Sequence, residues 1–213
     1  GTSTSSLTTE QLENEKKINN VIVEEARIRS QTNPGFRDLK PGIAKTDYLE
    51  KCLLKSDGDI CYGIQNIKFT NKYGERRRES SIGSNMYGVQ ILSHLILNMG
   101  PIVASDGSFF SQLNNLVVNN DDEPNIYLKM KKNFDAKYVL DYEYSERDRQ
   151  LFNEGEKDDL LGVYSNGQVA LRINLKERDY SKDLWLYIEY RDVDAAKEFL
   201  EKNRPVIATL DDF

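Results

Sequence analysis

The residues of this chain that could perform acid–base chemistry are two carboxylates, Asp141 and Glu143, and its single histidine, His94. Two carboxylates at alternate positions of a strand lie on one face, where such a pair can hydrolyse a glycosidic bond or bind a divalent metal. Acids number 35 in this chain, so the same spacing more often marks a solvated face. His94 has Gln90 and Asn98 as neighbours on the polar side of a predicted helix, without a nucleophile or an orienting carboxylate suggested nearby. A carboxylate-dependent hydrolase or lyase is therefore the alternative function.

A set of aromatic and basic residues, predicted on one face of a sheet, is the stronger candidate for a functional site. Tyrosine, tryptophan and arginine are enriched in binding hot spots, because they bury a large area at a small entropic cost and keep a polar group. The competing interpretation is that a helix packs on this face and makes the same residues part of the core. The candidate binding residues are Tyr127, Lys129, Arg172, Trp185 and Tyr187.

The sequence contains no motif for a cofactor or a metal. The acidic segments 57–59 and 120–123 lack the spacing of an EF-hand calcium loop. Segment 83–88 has the outer glycines of a phosphate-binding loop, but the Lys and the Ser or Thr that should follow are missing. Two cysteines and one histidine also do not complete a structural zinc site. We therefore expect neither a cofactor nor a bound metal.

The two cysteines, Cys52 and Cys61, flank a predicted turn at 56–59 and are expected on facing strands. In an exported protein, that arrangement would permit a disulfide bond. Free cysteines are common in protein cores, so the sequence favours a pair of reduced, half-buried thiols. The prediction is that Cys52 and Cys61 lie close together and that the protein folds without a bond between them.

Charge and composition make some classes of partner less favourable. The chain of 213 residues carries a formal net charge of -6, which disfavours nucleic acids and anionic lipid surfaces as partners. The single basic cluster, at 76–78, is flanked by glutamates that cancel much of its field. No apolar run is long enough for a membrane-spanning helix. The Ser/Thr-rich start of the chain resembles a tether, which slightly favours an exported, periplasmic or surface-tethered protein over a cytoplasmic one.

The elements that must position the candidate site are strands in the second half of the chain. Period-two alternation predicts that most of this half forms one mainly antiparallel sheet. Asn166-Gly167 predicts a hairpin turn between two of the strands, because a type I′ turn requires positive φ. A helix over 192–203 and a last strand over 206–210 are expected to follow. The predicted strands of the sheet are 126–131, 137–144, 160–164, 168–175 and 184–190.

The first half is predicted to contain more helix. A flexible tail at 1–8 precedes an N-terminal helix and linker at 9–35, with Thr8 or Thr9 as the helix cap. A strand pair is expected at 48–55 and 60–70, although 48–55 also fits a short helix. The apolar segment 84–99 predicts a buried central helix. Residues 36–213 are then a single α+β domain, with a possible sub-boundary at 119–125.

The favoured function is a soluble, non-enzymatic binding or interaction module, for which export and tethering through the N-terminus is one arrangement. Besides the hydrolase or lyase, a second alternative is a structural or assembly subunit that engages its partners through the N-terminal helix. The sequence predicts a protein or small-molecule partner and does not identify it. The three hypotheses differ in what they require: an accessible aromatic face, convergent carboxylates in a pocket, or an exposed apolar stripe on the first helix.

Overall fold

The computed structural model describes residues 8–55, 58–63, 68–70, 82–84, 88–102, 116, 126–178 and 181–203. The chain divides into two compact units, Gly1–Leu95 and Ile96–Phe213. Three of the predicted segments lie outside the described residues: the tail before Thr8, the sub-boundary at 119–125 and the last strand at 206–210.

The first unit begins with helix α1, Thr9–Ser30, as the sequence predicts. The Oγ1 atom of Thr8 accepts a hydrogen bond from the Gln11 N–H at 3.2 Å, and the Gln11 side chain accepts one from the Thr8 N–H at 2.9 Å. This reciprocal capping box satisfies two backbone donors that the start of a helix otherwise leaves unpaired. Ala26 and Ser30 are the buried residues of α1, so most of the helix surface is accessible.

Helix α2, Lys45–Lys51, overlaps the segment 48–55, which the sequence predicted as a strand or equally as a short helix. Three short strands follow, in the order β1–β2–β3. The Tyr48 hydroxyl donates a hydrogen bond of 2.5 Å to the buried carboxylate of Asp59, and this bond fixes α2 against the strands. The strands are β1, Cys52–Leu53, β2, Asp59–Cys61, and β3, Lys68–Thr70.

Strands β1 and β2 pair antiparallel with Cys52 opposite Cys61, which confirms the predicted hairpin. The two sulfur atoms are bonded, so the expectation of reduced thiols is wrong. The reason lies in the register, because directly opposed residues of an antiparallel pair bring their Cβ atoms within reach of a disulfide. The Cα atoms are 4.1 Å apart. Whether folding requires the bond stays a prediction.

The central helix predicted over 84–99 is wrong, because no described residue of this segment is helical and most of them lie in strands. They belong to strands β4, Ile82–Ser84, β5, Gln90–Leu92, and β6, His94–Pro101, and β4 pairs antiparallel with β5. Leu95, Ile96 and Leu97 are all buried, a continuous apolar run that suits a strand buried on both faces. Gly88, with φ of +79°, also interrupts any helix at this point.

The second unit contains a sheet with the strand order β6–β10–β9–β8–β7. The pairs from β10 to β7 are antiparallel, which confirms the predicted α+β class with a mainly antiparallel sheet. The strands predicted at 160–164, 168–175 and 184–190 are confirmed, and of the predicted strand 137–144 only residues 140–143 form one. The four strands are β7, Leu140–Glu143, β8, Asp159–Tyr164, β9, Val169–Arg178, and β10, Ser181–Arg191.

The predicted hairpin turn joins β8 to β9, with Asn166 and Gly167 at the centre of the loop 165–168. Ser165 and Asn166 have φ of 52° and 55°, and Gly167 has φ of 85°. The Gly167 N–H donates to the Tyr164 carbonyl at 3.1 Å, and the Gln168 N–H donates to the Ser165 carbonyl at 3.2 Å, which closes the turn around Asn166 and Gly167. The loop from 165 to 168 therefore sets the register in which Tyr164 lies opposite Val169.

The strand predicted at 126–131 is wrong, because this segment begins helix α3, Ile126–Lys137. Its apolar residues also fit helical spacing, with buried Tyr127 and Phe134 seven residues apart on one face. The ring of Phe134 packs edge-on against Tyr164 of β8, with 5.8 Å between the ring centroids. Asp135 accepts a 2.7 Å hydrogen bond from the Tyr164 hydroxyl, so α3 covers one face of the sheet.

Helix α5, Val193–Asn203, covers part of the opposite face and confirms the predicted C-terminal helix. It follows helix α4, Glu146–Asn153, and strands β8 to β10 along the chain. Phe199 of α5 packs on Val163 and Ala170. The sheet of the second unit is thus covered by α3 on one side and by α5 at one end of the other side.

Candidate binding site

The candidate site is the part of the sheet face on the α5 side that lies beyond the contacts of α5. The register places Trp185 opposite Asn174, and Asn174 opposite Asp159, so that three strands contribute to one row. Tyr187 lies opposite Arg172 in the next row toward α5. We refer to this surface as the tryptophan face, defined by Asp159, Arg172, Asn174, Lys176, Trp185 and Tyr187.

Helix α5 covers the other end of this face. Besides Phe199 on Val163 and Ala170, the guanidinium carbon of Arg191 lies 3.7 Å from the centroid of the Phe199 ring. Glu189, two residues before Arg191, is 4% exposed. The interpretation that a helix makes the face part of the core therefore applies to its α5 end, whereas Trp185 remains partly exposed.

Two cations of the sheet stack on the aromatic rings. The Lys176 ammonium lies 4.1 Å from the Trp185 ring centroid and 5.5 Å from that of Tyr187. The Arg172 guanidinium lies 4.6 Å from the Tyr187 centroid. Each contact holds a flexible basic side chain over a ring that two strands fix, which lowers the entropy that a partner would have to remove on binding. Tyr187 is only 9% exposed, so its ring supports the site from beneath.

A network of charges anchors the face to the sheet. Arg172 donates from Nε to Glu189 at 2.7 Å and from Nη1 to Asp159 at 3.3 Å, and Arg191 also donates to Glu189. Burial alone would raise the pKa of Glu189, but the two arginines outweigh it and hold that pKa below its usual value. Asn174 donates to the same Asp159 oxygen at 2.7 Å. These bonds fix β8, β9 and β10 beneath Trp185.

Two of the predicted binding residues lie elsewhere. Tyr127 and Lys129 belong to α3, not to a strand, and α3 packs on the opposite face of the sheet. Tyr127 is buried, and its hydroxyl is 3.1 Å from that of Tyr144, whereas Lys129 is exposed. Burial raises the pKa of Tyr127 far above the ordinary value, with Tyr144 contributing next. Neither residue can share a surface with Trp185.

The three residues considered for catalysis take part in local contacts. Asp141 accepts a 2.9 Å hydrogen bond from the Gly167 N–H, and Glu143 forms a 2.9 Å ion pair with Lys131 of α3. His94 lies in the first unit, where its Nδ1 atom is 2.7 Å from the Ser93 hydroxyl. The structure gives Asp141 and Glu143 contacts that stabilise the hairpin and α3.

A groove of about 490 Å³ adjoins the tryptophan face at Asp159. Its wall includes Asp148, which caps α4 through the Ser145 N–H at 2.9 Å and accepts a 3.0 Å bond from Lys157. Burial opposes ionisation of Asp148, but the Ser145 and Lys157 contacts prevail and lower its pKa. Within the described part of the chain, no three His, Cys, Asp or Glu residues are placed to bind a metal ion. Tyr142 and Leu161 give the groove an apolar side.

Sequence reasoning missed Lys176 and Asp159 as members of the face. The predicted strands ended at residue 175 and began at residue 160, whereas β9 continues to Arg178 and β8 begins at Asp159. Extending the alternation of β9 by a single step places Lys176 beside Arg172 and Asn174 on the same face. The signal was thus present in the sequence and was lost at the strand boundaries.

Comparison of the chain with known protein families, with curated proteins and with solved structures finds no match. Of the helices within the described ranges, none combines the length and the apolar character needed to cross a bilayer. The class of protein is therefore defined by its own architecture, an α+β chain with an antiparallel sheet and an aromatic face that one helix covers in part.

Proposed function

We propose that this protein is a non-enzymatic binding module that holds its partner against the tryptophan face. The observation that carries the proposal is the placement of Trp185, partly exposed on a strand paired along its length and in contact with Lys176. A large ring held rigidly loses little entropy when a partner covers it, which is why such residues dominate binding energies. The partner is a protein segment or a small molecule. Nucleic acid is disfavoured by the net charge of -6.

The single tryptophan makes the proposal directly testable, since all tryptophan emission comes from Trp185. Peptide and small-molecule libraries can be screened for compounds that shift this emission and bind saturably. For a ligand found in this way, the Trp185→Ala variant, measured by calorimetry, should bind about 30-fold more weakly, which corresponds to about 2 kcal/mol. Val139→Ala, at a residue 78% exposed in the same unit, is the matched control and should bind normally. Equal affinity in both variants would remove the tryptophan face from consideration.

The disulfide indicates the compartment in which we expect the protein to act. Disulfides persist in oxidising environments and are rare in reducing ones. The bond between Cys52 and Cys61 lies in a short hairpin and is shielded from solvent, with exposures of 5% and 0%. We therefore favour an exported or surface-tethered protein.

A second candidate function, assembly through α1, is supported by the exposure of its apolar residues. Ile18, Val21 and Ile28 are 37%, 56% and 57% exposed and fall within about 80° of one another around the helix. The partner that fits this stripe is a second copy of α1 in antiparallel orientation. That pairing places acidic Glu10 of the first turn near basic Arg29 of the last turn.

Analytical ultracentrifugation tests the assembly hypothesis. A Val21→Ser and Ile28→Ser double variant should sediment as a monomer under conditions in which the unaltered chain forms dimers. The control is a Lys16→Ser and Lys17→Ser double variant on the same helix, which leaves the apolar stripe intact. A monomeric unaltered chain at high concentration would contradict the hypothesis.

A further inference from the structure

A tight turn at residues 36–39 of the first unit presents an arginine in an unfavourable backbone conformation. Phe36 and Leu39 exchange both of their main-chain hydrogen bonds, at 3.1 and 3.0 Å, so Arg37 and Asp38 form the tip of the turn. Arg37 has φ of 54°, in the left-handed region where glycine or asparagine is favoured. Left-handed residues other than glycine carry strain and concentrate at functional sites, so this arginine is a candidate for a role in binding.

The chain at the base of this turn is closely packed. Leu39 is 1% exposed. A Cβ on Gly35 would lie 2.5 Å from the Leu39 carbonyl oxygen and 2.9 Å from Cα of Lys40, so the two ends of the turn pass in direct contact. A tip that is fixed in this way in the free protein loses little entropy when a partner binds to it.

Two aromatic rings hold the Arg37 side chain in place. The Arg37 guanidinium carbon lies 5.2 Å from the centroid of the Phe36 ring and 4.9 Å from that of Tyr62. Tyr62 follows the disulfide-bonded Cys61 and donates its N–H to the Lys51 carbonyl at 2.9 Å, so its position is fixed by a covalent bond and a hydrogen bond. Tyr62 is also left-handed, with φ of 56°. The contact between these two left-handed residues restricts an arginine side chain that is otherwise flexible.

The guanidinium N–H groups of Arg37 are accessible to a partner. Arg37 is exposed, and among the described residues its side chain stacks on the two rings but forms neither a hydrogen bond nor an ion pair. Asp38, its neighbour at the tip, is paired with Lys51 instead, at 3.8 Å. Arginine presents its donors in a planar fork that matches a carboxylate, and such charge-assisted pairs are among the strongest hydrogen bonds in proteins.

The surroundings of Arg37 favour a carboxylate within an otherwise apolar segment. The net charge of -6 repels polyanions at long range, whereas a single carboxylate responds mainly to the cation that it contacts. A second acid beside the first would also approach Asp38, which is exposed. The rings of Phe36 and Tyr62 are half-buried, so part of their apolar surface is accessible to a side chain next to the carboxylate.

We propose that Arg37 is the centre of a surface that binds a protein segment carrying a single carboxylate beside an apolar side chain. The guanidinium donates to the carboxylate, and the apolar side chain covers Phe36 and Tyr62. Arginine and aromatic residues together are typical of binding hot spots. All three residues belong to the first unit, so this surface is separate from the tryptophan face, and either proposal can fail without the other.

Selection from a phage-displayed decapeptide library, with the full chain as the target, tests this proposal. The enriched peptides should contain an Asp or Glu next to an apolar residue. Fluorescence polarisation then measures a synthetic enriched peptide and its counterpart with the acid replaced by the amide, which should bind about tenfold more weakly. In the Arg37→Asn variant this difference between the two peptides should disappear, while asparagine tolerates the left-handed backbone and keeps the turn. Arg37→Lys, which keeps the charge but not the planar fork, should give an intermediate affinity.

The matched control is Arg147→Asn, at an exposed arginine of the second unit, which changes the net charge equally and should leave peptide binding unaltered. Trp185→Ala should also leave it unaltered, and binding lost in that variant would show that the selected peptides occupy the tryptophan face instead. A selection that enriches no acidic peptide would overturn the proposal. A difference between acid and amide peptides that persists in Arg37→Asn would overturn it as well, because the carboxylate would then be recognised elsewhere.

Discussion

Replacing Gly167 by alanine should destabilise the second unit more than the same change at Gly155, and the difference reports how closely α5 packs on the hairpin. Both glycines adopt a left-handed backbone, with φ of 85° and 79°. An alanine in that conformation costs about 1–2 kcal/mol at either position. In the described structure, a Cβ on Gly155 would meet nothing within 4 Å, so the backbone strain is its whole cost.

A Cβ on Gly167 would also collide with α5. It would lie 2.8 Å from Cγ of Leu200 and 2.9 Å from the carbonyl oxygen of Ala196. Leu200 can rotate, but the carbonyl belongs to the helix backbone, so α5 itself would have to shift. Overpacking of this kind costs about 1–3 kcal/mol. The total is about 2–5 kcal/mol for Gly167→Ala, against about 1–2 kcal/mol for Gly155→Ala.

Urea denaturation of both variants, followed by the emission of Trp185, measures the difference. Equal losses of unfolding free energy in the two variants would refute the reasoning, because they would show that α5 does not pack closely on the turn. A circular dichroism spectrum of each variant before denaturation would confirm that the comparison is made between folded proteins. The result also bears on the tryptophan face, since α5 defines where that face begins.

Two further predictions concern the charge network and the disulfide. Glu189→Gln should cost about 3–5 kcal/mol at neutral pH in a denaturant melt, because buried Arg191 and partly buried Arg172 lose their shared carboxylate. The depressed pKa of Glu189 means that its stabilising contribution is present above about pH 4.3 and is lost as the pH falls through the folded-state pKa. The difference in the free energy of unfolding between the unaltered chain and the variant should therefore narrow in acid. A difference that stays constant with pH would argue against the network. Replacing Cys52 and Cys61 together by serine should leave the chain folded. It should lower the free energy of unfolding by about 2–3 kcal/mol, since the loop that the disulfide closes is short. A calorimetric scan of the double variant that shows no folded state would contradict this.

The elements that sequence reasoning placed correctly are those with local signals. The capping box at Thr8 and Gln11 identifies the start of α1, and Asn166-Gly167 identifies the β8–β9 hairpin. Each signal acts through atoms a few residues apart, so no tertiary information is needed. The segments 84–99 and 126–131 were wrong for the opposite reason. Their apolar residues fit both helical and strand spacing, and contacts with the neighbouring strands and helices decide which element forms.

The same distinction explains which candidate residues the sequence placed on the right face of the sheet and which it did not. Period-two alternation correctly placed Arg172, Trp185 and Tyr187 on one face, because it depends only on the strand that carries each residue. It failed for Tyr127 because the type of element was wrong. Alternation also cannot show whether another layer covers a face.

The position of α5 along the face decides whether Trp185 is part of the core or part of a binding surface. Glu189 and Arg191 alternate outward with Trp185 on β10, yet they are 4% and 1% exposed. Their burial near Phe199 of α5 needs the charge network, since a buried carboxylate is tolerated only when it is paired. Trp185 lies two rows farther along the strand and stays partly exposed. The network that stabilises the end under α5 thus also fixes the strands beneath partly exposed Trp185, and this is the physical basis for expecting Trp185 to bind a partner from a rigid surface.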